Sequence, residues 1–496
     1  MKAVLINLHG DTNMTAAYLH SLIKKAGFDI TTIHFRRLLM ELTLPTEEEI
    51  TTLKRVIDRI NPEVVMMSVN SISFWIAVKI SEVLKDRKIV WGGIHPLIEP
   101  ERCLEYADII VRGEGDGAVI DILKAIKRNK PLDNIENVWT KKGKRIIKND
   151  FRPLVKDLDK LPFPDFSDEN KLYIMGDKVH NKNTLPHLKY GYHIAFSRGC
   201  PFSCKYCINH YYNKTFHHKY LRRRTVDSVI KELVEAKRQF PLIKSIAFWD
   251  DVFMTNLEWL REFVGKYKRY INLPFFAYGN ARFVNEESMS LLKKAGINFF
   301  DMGIQSGSER IRKIFGRTDT NKEIMRADAI LHRLNITRGY DIIFSEFETE
   351  KDLEEGILFF LKLKKPFKVQ RNRLVYYPNF EITHIALSEG RIKPEQIASR
   401  DRNLKGQMMN KTEAEKFPIM NYYYFIGNKL IPNFIIRYML NHKWHKRHPR
   451  LLTEAGELIN RIENIKSSIL NMFKLLYYGE WDYVINRILK KDEYYT

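Results

Sequence analysis

Short apolar runs alternate with amphipathic helical patterns along most of this chain, in two separate series. The first series predicts strands at Lys2–Leu8, Ile30–Phe35, Glu63–Val69, Lys88–Trp91 and Ile109–Arg112. The second series spans residues 191–395 and predicts six further strands separated by helices. Alternation of strands with helices is typical of parallel sheets covered by helices. We therefore predict an α/β protein with an N-terminal doubly wound, Rossmann-like parallel sheet, followed by a partial (β/α)6 barrel.

The chain divides into four predicted regions. Residues 1–150 form the Rossmann-like domain, and it closes with a hairpin over Asn134–Lys148 that turns at Lys142-Gly143. Residues 151–190 form a linker, in which the prolines of Leu161-Pro162-Phe163-Pro164 favour extended backbone. We predict that residues 165–190 are polar and irregular, and we assign them no role. Residues 191–395 form the barrel, and residues 396–496 form a mostly helical C-terminal region.

Composition restricts the location and partners of the protein. The chain of 496 residues has a net charge of +22, which suits an anionic partner such as nucleic acid, phospholipid headgroups or a phosphorylated substrate. A general excess of lysine explains the same charge without any partner. No signal peptide is recognisable at the N-terminus, and no apolar stretch has the roughly 18 residues of a membrane-spanning helix. We therefore expect a reducing, cytoplasmic location.

Three of the four cysteines lie close together, at Cys200, Cys204 and Cys207, with Tyr206 before the third. Thiolates are soft ligands that suit iron–sulfur clusters, zinc and copper(I). The fourth cysteine, Cys103, is about a hundred residues upstream, so these three lack a fourth thiolate. Three thiolates on a [4Fe–4S] cluster would leave one iron open to a substrate or cofactor. A zinc site completed by a histidine is the alternative, and it would mark a basic nucleic-acid-binding protein. The candidate histidines are His210, His217 and His218.

The stretch Ser197–Asn209 resembles the CxxxCxxC signature of the radical S-adenosylmethionine (SAM) enzymes, including the aromatic residue before the third cysteine. The resemblance implies that the three cysteines ligate a [4Fe–4S] cluster whose open iron chelates the amino and carboxylate groups of SAM. It also implies that the reduced cluster, supplied by an external donor such as ferredoxin or flavodoxin, cleaves SAM to a 5′-deoxyadenosyl radical.

The same resemblance places SAM contacts after the barrel strands. The segment Phe248–Phe253 is similar to the acidic turn of the family, and Gly303–Glu309 is similar to its Gly-Ile-Glu-Ser-Gly-Ser-Glu segment, with Gln305 in place of glutamate. At Phe344–Thr349 the chain departs from the Gly-x-Pro-Gly-Glu-Thr turn of the family. The predicted SAM contacts are Tyr206, Asp250, Asp251, Asn280, Arg282, Gln305 and Ser306. The basic residues Lys219 and Arg222–Arg224 would either face SAM or an anionic substrate, or form a solvated surface.

Residues 1–130 resemble the cobalamin-binding domain that precedes many radical SAM domains. The similarity is carried by Val69-Asn70-Ser71, by Trp91–Pro96 and by Val111–Gly115. It implies a corrin against these strand ends, with contacts from Asn70, Ser71, Gly92, Gly93, Gly113 and Glu114. The Asp-x-His-x-x-Gly motif that supplies a cobalt-ligating histidine is missing. His9-Gly10-Asp11 has the wrong order and His95 is predicted in a turn, so we expect no histidine on cobalt. A Rossmann-like module that binds no corrin is the alternative.

These resemblances imply a cobalamin-dependent radical SAM enzyme. One SAM would methylate the cobalt, a second would yield the radical, and an unactivated carbon of a small-molecule or lipid-like substrate would receive the methyl group. Oxidative cyclisation or ring rearrangement without methyl transfer is the alternative chemistry. A methylthiotransferase is disfavoured because a second set of three cysteines is missing. Nucleic acid is not an expected partner. The basic, aromatic segment 417–453 either caps the barrel or associates peripherally with a membrane.

Overall fold

A computed structural model describes residues 1–8, 14–36, 43–183, 190–217, 221–398, 400 and 417–477. They form two units that do not follow the chain in order. The first unit comprises residues 1–184, 197–225 and 375–406, and the second comprises residues 185–196, 226–374 and 407–496. The cysteine loop therefore belongs to the unit that contains the N-terminal domain. The predicted α/β class with a helical C-terminal region is confirmed.

The first unit is built on a nine-stranded sheet in the order β7-β6-β5-β4-β3-β1-β2-β8-β9. Its strands are β1 (Lys2–Asn7), β2 (Asp29–Phe35), β3 (Val64–Ser68), β4 (Lys88–Gly92), β5 (Ile109–Val111), β6 (Val138–Lys142), β7 (Arg145–Lys148), β8 (Lys171–Met175) and β9 (Lys178–His180). Six neighbouring strands of this sheet, β5, β4, β3, β1, β2 and β8, run parallel to one another. The chain order reverses between β1 and β3, which is where ligands of such sheets bind.

Helices cover both faces of this sheet. One face packs Ile6, Met67 and Trp91 against the helices Glu47–Ile60 and Phe74–Val83. The other face packs a second apolar set against Met14–Lys25 and Asp116–Lys127. Burial on both faces explains the nearly continuous apolar runs of these strands. The other helices in the described residues of this unit are Ile94–Ile98, Pro100–Cys103, Ile208–Thr215 and Glu381–Ser388, with 3-10 turns at Leu158–Lys160 and Pro394–Gln396.

The hairpin predicted at 134–148 is confirmed as β6 and β7. The prediction that residues 165–190 are irregular is wrong, because this region contains β8 and β9. Strand β8 extends the sheet beside β2, and β9 folds back antiparallel on it. Within the same unit, β11 (Ser197–Arg198) and β12 (Arg222–Arg223) form a two-stranded antiparallel ribbon at the base of the cysteine loop.

The second unit contains a six-stranded parallel sheet whose order, β10-β13-β14-β15-β16-β17, follows the chain. Its strands are β10 (Gly191–Ile194), β13 (Ser245–Phe248), β14 (Phe275–Gly279), β15 (Ile297–Gln305), β16 (Thr337–Phe344) and β17 (Lys368–Arg373). Sequential parallel strands with helical crossovers form a partial (β/α)6 barrel, as predicted.

The helices between these strands are Val226–Gln239, Leu257–Tyr270, Glu286–Ala295, Glu309–Ile314, Asn321–Arg333 and Glu350–Phe360, with a 3-10 turn at Ala281–Phe283. Phe248 of β13 packs on Phe263 and Tyr267 of one such helix, so this face of the sheet is an aromatic core. The C-terminal region adds Pro418–Asn421, Tyr422–Ile426, Asn433–Asn441, Trp444–Arg447 and Pro449–Tyr477. No helix in the described part of the chain is long and apolar enough to cross a membrane.

Gly93 closes the end of β4 in a conformation that only glycine adopts readily, with φ of 100° and ψ of −165°. A Cβ there would lie 2.8 Å from the carbonyl oxygen of Val69. We expect Gly93→Ala to lower the free energy of unfolding by more than about 3 kcal/mol, because backbone strain of roughly 1–3 kcal/mol adds to this clash. Gly143→Ala is the control, since Gly143 also has positive φ but nothing within 4 Å of its Cβ position.

The control should lose only about 1 kcal/mol, the cost of a left-handed residue. Urea unfolding of both variants measures the difference. Equal losses would mean that the edge at Gly93 relaxes around a side chain.

Candidate functional site

The cysteine loop leaves β11 and folds back onto the helix that follows it. The side-chain amide of Asn213 donates to the carbonyl oxygens of Cys200, at 3.2 Å, and Phe202, at 3.3 Å. The Cys207 amide donates to the carbonyl oxygen of Cys204 at 2.9 Å. These contacts hold the loop backbone, and the Cys207 sulfur also accepts a hydrogen bond from the Asn209 side-chain amide at 3.8 Å.

The three thiols form no disulfide, and Cys200 is the most buried of them. Across the described ranges, one group of three or more Cys, His, Asp or Glu residues has its ligand atoms all within 4.8 Å of one another, and it contains no cysteine. Thiolates suit both zinc and iron–sulfur clusters, so the chemistry of the three cysteines alone fits either group.

Of the candidate zinc histidines, His217 is exposed, and His210 already has a carboxylate partner. His210 Nε2 lies 2.8 Å from the carboxylate of Glu381, and Lys205 lies 3.2 Å from the same carboxylate. The hydrogen bond from His210 is the main reason that the pKa of Glu381 is below its usual value. A zinc ion would have to displace this contact, and His218 lies outside the described residues.

Cys103 is separate from the loop thiols. Its side chain is fully buried in the apolar core on one face of the nine-stranded sheet. Burial raises the pKa of this thiol well above its usual range, so it stays protonated and unreactive. Its position supports the prediction that it takes no part in a cluster.

Two arginines at the base of the loop bind two carboxylates of the turn after β5. Arg198 binds Asp116 through both terminal nitrogens, at 2.9 and 3.0 Å. Arg222 binds Glu114 in the same way, at 3.0 and 2.7 Å, and its side chain is 9% exposed. Arg198 and Arg222 face each other across β11 and β12. We call Glu114, Asp116, Arg198 and Arg222 the arginine–carboxylate network.

The network keeps its carboxylates charged. Burial opposes ionisation of Asp116, but hydrogen bonds and charge from Arg198 outweigh it, and the pKa of Asp116 lies below its usual value. Tyr18 donates a further hydrogen bond to Asp116. Paired bidentate contacts of this kind fix direction as well as distance. The network therefore attaches the cysteine loop to the carboxyl edge of the parallel sheet.

This arrangement revises the expectation for Arg222, which faces neither an anionic ligand nor solvent but the carboxylate of Glu114. The Glu114 carboxylate also accepts from the Val155 amide at 3.2 Å. The cobalamin contact assigned to Glu114 stays a prediction, and two arginines already hold its carboxylate. Lys219 lies outside the described residues.

The other residues assigned to cobalamin lie along the carboxyl ends of β3, β4 and β5. Asn70 accepts from the Ser73 amide at 2.8 Å, and the Val69 amide donates to the Gly92 carbonyl oxygen at 2.7 Å. Gly93 and Gly113 both have positive φ. Glycines and short polar side chains line the ends of β3 and β4, which fits the close approach of a flat macrocycle. At the end of β5, the rings of Phe216 and Phe151 lie against Gly113.

His95 lies beneath this edge rather than on it. Its side chain is fully buried, and its Nδ1 lies 2.9 Å from the hydroxyl of Ser71. Burial, with a smaller effect of Arg102, lowers the pKa of His95 to about 3. The expectation that no histidine ligates cobalt stays a prediction, which the burial of His95 supports. His9 lies outside the described residues.

Most residues assigned to SAM lie in the second unit, after the barrel strands. Asp250 is 1% exposed and accepts from the Phe196 amide at 3.0 Å, which ties the end of β13 to the segment after β10. Asn280 accepts from the Arg282 amide at 3.0 Å and donates to Asp319 at 3.3 Å. These two side chains are therefore buried and already oriented by protein groups.

Gln305 offers a hydrogen-bond acceptor that the described structure does not use. A register shift at the end of β15 and a φ of 70° turn this residue out of the strand. Its Oε1 is buried and has no hydrogen-bond partner among the described residues. Buried polar atoms nearly always have a hydrogen-bond partner, so Oε1 fits a donor group of a ligand.

The other residues assigned to SAM have different surroundings. Ser306 accepts a hydrogen bond from the Ser308 amide. Asp251 is exposed, and Tyr206 lies half-buried in the first unit.

Comparison with protein families assigns both parts of the chain. The model of the radical SAM superfamily matches residues 194–360, and that of the B12 binding domain matches residues 1–123. A solved structure of the cobalamin-dependent S-adenosylmethionine radical enzyme OxsB superposes with a TM-score of 0.66 over 99% of this chain and 75% of that chain. The two are 16% identical, so this likeness concerns the fold.

Two curated relatives share more sequence. An uncharacterized methyltransferase of Pyrococcus horikoshii is 25% identical over 318 residues, 62% of this chain and 66% of that protein. An anaerobic magnesium-protoporphyrin IX monomethyl ester cyclase of Cereibacter sphaeroides is 23% identical over 360 residues, 68% of this chain and 54% of that protein. The chain thus spans less than two thirds of the length of either relative.

We expect Glu114→Gln to loosen the cysteine loop, because it leaves the Arg222 guanidinium buried without its counter-charge. Breaking a buried pair of this kind costs about 3–5 kcal/mol. Trypsin should cleave within residues 197–225 at least tenfold faster, and iron bound after anaerobic reconstitution should fall several-fold. Glu286→Gln is the control, because its pair with Arg333 is exposed. Unchanged iron and unchanged cleavage in Glu114→Gln would show that the loop is held by other contacts.

Proposed function

We propose that this chain, a member of the radical SAM superfamily with an N-terminal B12 binding domain, is an enzyme that methylates an unactivated carbon of a small-molecule or lipid-like substrate. One observation carries the proposal. A loop with three thiols that form no disulfide is attached by the arginine–carboxylate network to the carboxyl edge of the sheet that matches the B12 binding domain. A methyl-carrying cofactor and a radical-generating cofactor would then have sites in one unit.

Different residues would bind the cofactors and hold the site in place. When bound, the cluster would supply the electron that cleaves SAM, and cobalamin would supply a transferable methyl group. Cys200, Cys204 and Cys207 would hold the cluster, and Arg198 and Arg222 would position their loop. In the second unit, Gln305 would accept a hydrogen bond from SAM, and the buried Asp250 would keep the strand ends in register.

The net reaction replaces one hydrogen of the substrate by a methyl group. One SAM gives its methyl and leaves as S-adenosylhomocysteine, and a second accepts the hydrogen and leaves as 5′-deoxyadenosine and methionine. This net reaction consumes electrons, which an external donor must supply. We expect a donor of the ferredoxin or flavodoxin class. The second candidate is cyclisation without methyl transfer, which the relative from Cereibacter sphaeroides favours by its name. The two differ in product mass and in S-adenosylhomocysteine, which only methyl transfer releases.

We expect Cys200→Ala to lose its iron and all SAM cleavage, because the cluster would keep two of three thiolates. Cys103→Ala should retain both, since this thiol lies in an apolar core. Anaerobic reconstitution, iron and zinc analysis, and a 5′-deoxyadenosine assay make the measurement. Loss of iron in Cys103→Ala, or stoichiometric zinc in the unmodified protein, would contradict the assignment.

We also propose that part of the C-terminal region touches an anionic lipid surface. Its two halves behave differently. Tyr422, Tyr423 and Phe425 are buried, and Tyr423 packs on Phe360, so this half is a cap on the second unit. The helix Asn433–Asn441 instead exposes apolar side chains: Phe434 is 70% exposed and Tyr438 is 55% exposed.

Charge on this region is partly used within the unit. Lys446 lies 2.5 Å from Glu350, and Lys443 pairs with both Glu350 and Glu354. These lysines also neutralise the group Glu350, Glu354 and His445, whose ligand atoms lie close enough for a metal ion. Lys429 and Arg437 have no such carboxylate partner in the described part of the chain, and about 1 kcal/mol per basic residue is available at an anionic membrane.

We expect the double variant Phe434→Ser, Tyr438→Ser to reduce flotation with anionic vesicles at least fivefold. The apolar area removed contributes about 25 cal/mol per Å² when it is buried in lipid. Leu242→Ser is the control, because Leu242 is also exposed but lies outside this helix. Binding should weaken in high salt. Failure of the unmodified protein to bind anionic vesicles at low salt would leave the whole region as a cap.

A further inference from the structure

The face of the six-stranded sheet opposite its helices carries a surface of aromatic rings, formed by Trp249, Phe276, Tyr278 and Phe299. The Trp249 ring lies 5.6 Å from the Tyr278 ring and 6.0 Å from the Phe276 ring, measured between centroids. Phe276 in turn lies 5.6 Å from Phe299. Trp249 remains 42% exposed among these rings, so part of its face is open to a ligand.

Two carboxylates lie on the same face, beside the rings. Asp301 of β15 is the register partner of Tyr278 in β14, and Asp341 of β16 is the register partner of Gly303. Asp301 is 8% exposed, and the Oδ1 atoms of both aspartates are buried without a hydrogen-bond partner among the described residues. No ion pair in the described ranges involves either of them. Buried carboxylates are normally paired, so this pair is unusual.

A glycine allows the rings and carboxylates to meet. Gly339 of β16 is the register partner of Asp301. A Cβ there would lie 2.7 Å from the Phe299 ring and 2.9 Å from the Asp301 carboxylate. Any side chain at this position would therefore displace the ring or the carboxylate. The glycine keeps both groups side by side on the open face.

The pKa values of Asp301 and Asp341 reflect the lack of a positive group beside these two carboxylates. Burial, and then the charge of Asp341, raise the pKa of Asp301 to about 7. Burial raises the pKa of Asp341 to about 6. Burial and the two carboxylates also raise the pKa of Tyr278, which stays neutral. A positive group between the carboxylates would relieve their repulsion, and an aromatic face beside them would stabilise the same group.

We propose that this face binds an organic cation, an ammonium or sulfonium centre, between the carboxylates of Asp301 and Asp341 and the rings of Trp249 and Tyr278. Aromatic rings attract alkylated cations through their negative faces, and this attraction strengthens when water is excluded. The carboxylates balance the charge. The inference rests on the proposed function for its two sources of the cation: the sulfonium of SAM, or a cationic group of the substrate.

The test uses benzyltrimethylammonium as the probe and 2,2-dimethylpropylbenzene as its neutral isostere, with the full-length protein in equilibrium dialysis. We expect the cation to bind at least tenfold more tightly than the isostere. Asp301→Asn and Asp341→Asn should each weaken the cation at least tenfold, and Glu286→Gln, an exposed carboxylate elsewhere in the unit, should not. Binding should tighten between pH 5.5 and 8, because both aspartates lose their protons over this range. The ring of His193 lies 5.6 Å from that of Trp249, and a positive charge on it at low pH would also weaken binding of the cation.

SAM and S-adenosylhomocysteine identify the source of the cation. Displacement of the probe by SAM alone assigns the site to the sulfonium, and displacement by neither assigns it to the substrate. Equal affinity for the cation and the isostere, or unchanged affinity in both aspartate variants, would overturn the proposal and leave two carboxylates that share a proton. If an aspartate variant fails to fold, Trp249→Leu replaces it, since Trp249 is partly exposed. Dialysis requires no iron, so its outcome is independent of radical chemistry.

Discussion

The position of the cysteine loop depends on four charges that cancel. Strands β11 and β12 pair over only two residues each, and they place Arg198 directly opposite Arg222. Like charges in direct register destabilise a ribbon. Glu114 and Asp116 turn this repulsion into attachment, because each carboxylate takes one guanidinium through two hydrogen bonds. Without them the ribbon would be too short and too strongly charged to hold a loop in one place.

The sequence predicts what is local. Strands that are buried on both faces produce continuous apolar runs in the sequence, and the helices between them produce amphipathic patterns. The alternation of strands and helices from β1 to β5 can therefore be predicted without a structure. The three cysteines can be recognised for the same reason, since all three candidate ligands lie within one loop. The hairpin β6–β7 is marked by its glycine turn.

Contacts between distant residues are not readable in this way. Nothing near Arg198 identifies Asp116, 82 positions earlier, as its partner. Strands β8 and β9 lie in a stretch without the alternation of strands and helices, and β8 forms because β2 offers an open edge for pairing. Arg222 follows the loop as part of a basic run, and only the structure shows that it binds Glu114, 108 positions earlier. The pairing of Asp301 with Tyr278 similarly follows from register, which alternation alone does not determine.

The attachment of the loop also affects the outcome of recombination between the gene segments that encode the two domains. The cysteines are encoded within the stretch that forms the barrel, but their supporting carboxylates are encoded about eighty codons earlier, in the preceding domain. Recombination near codon 190 would join a new barrel to an old N-terminal domain and separate the arginines from their partners. Such an exchange would leave the loop supported only where the incoming domain also supplies carboxylates opposite Arg198 and Arg222.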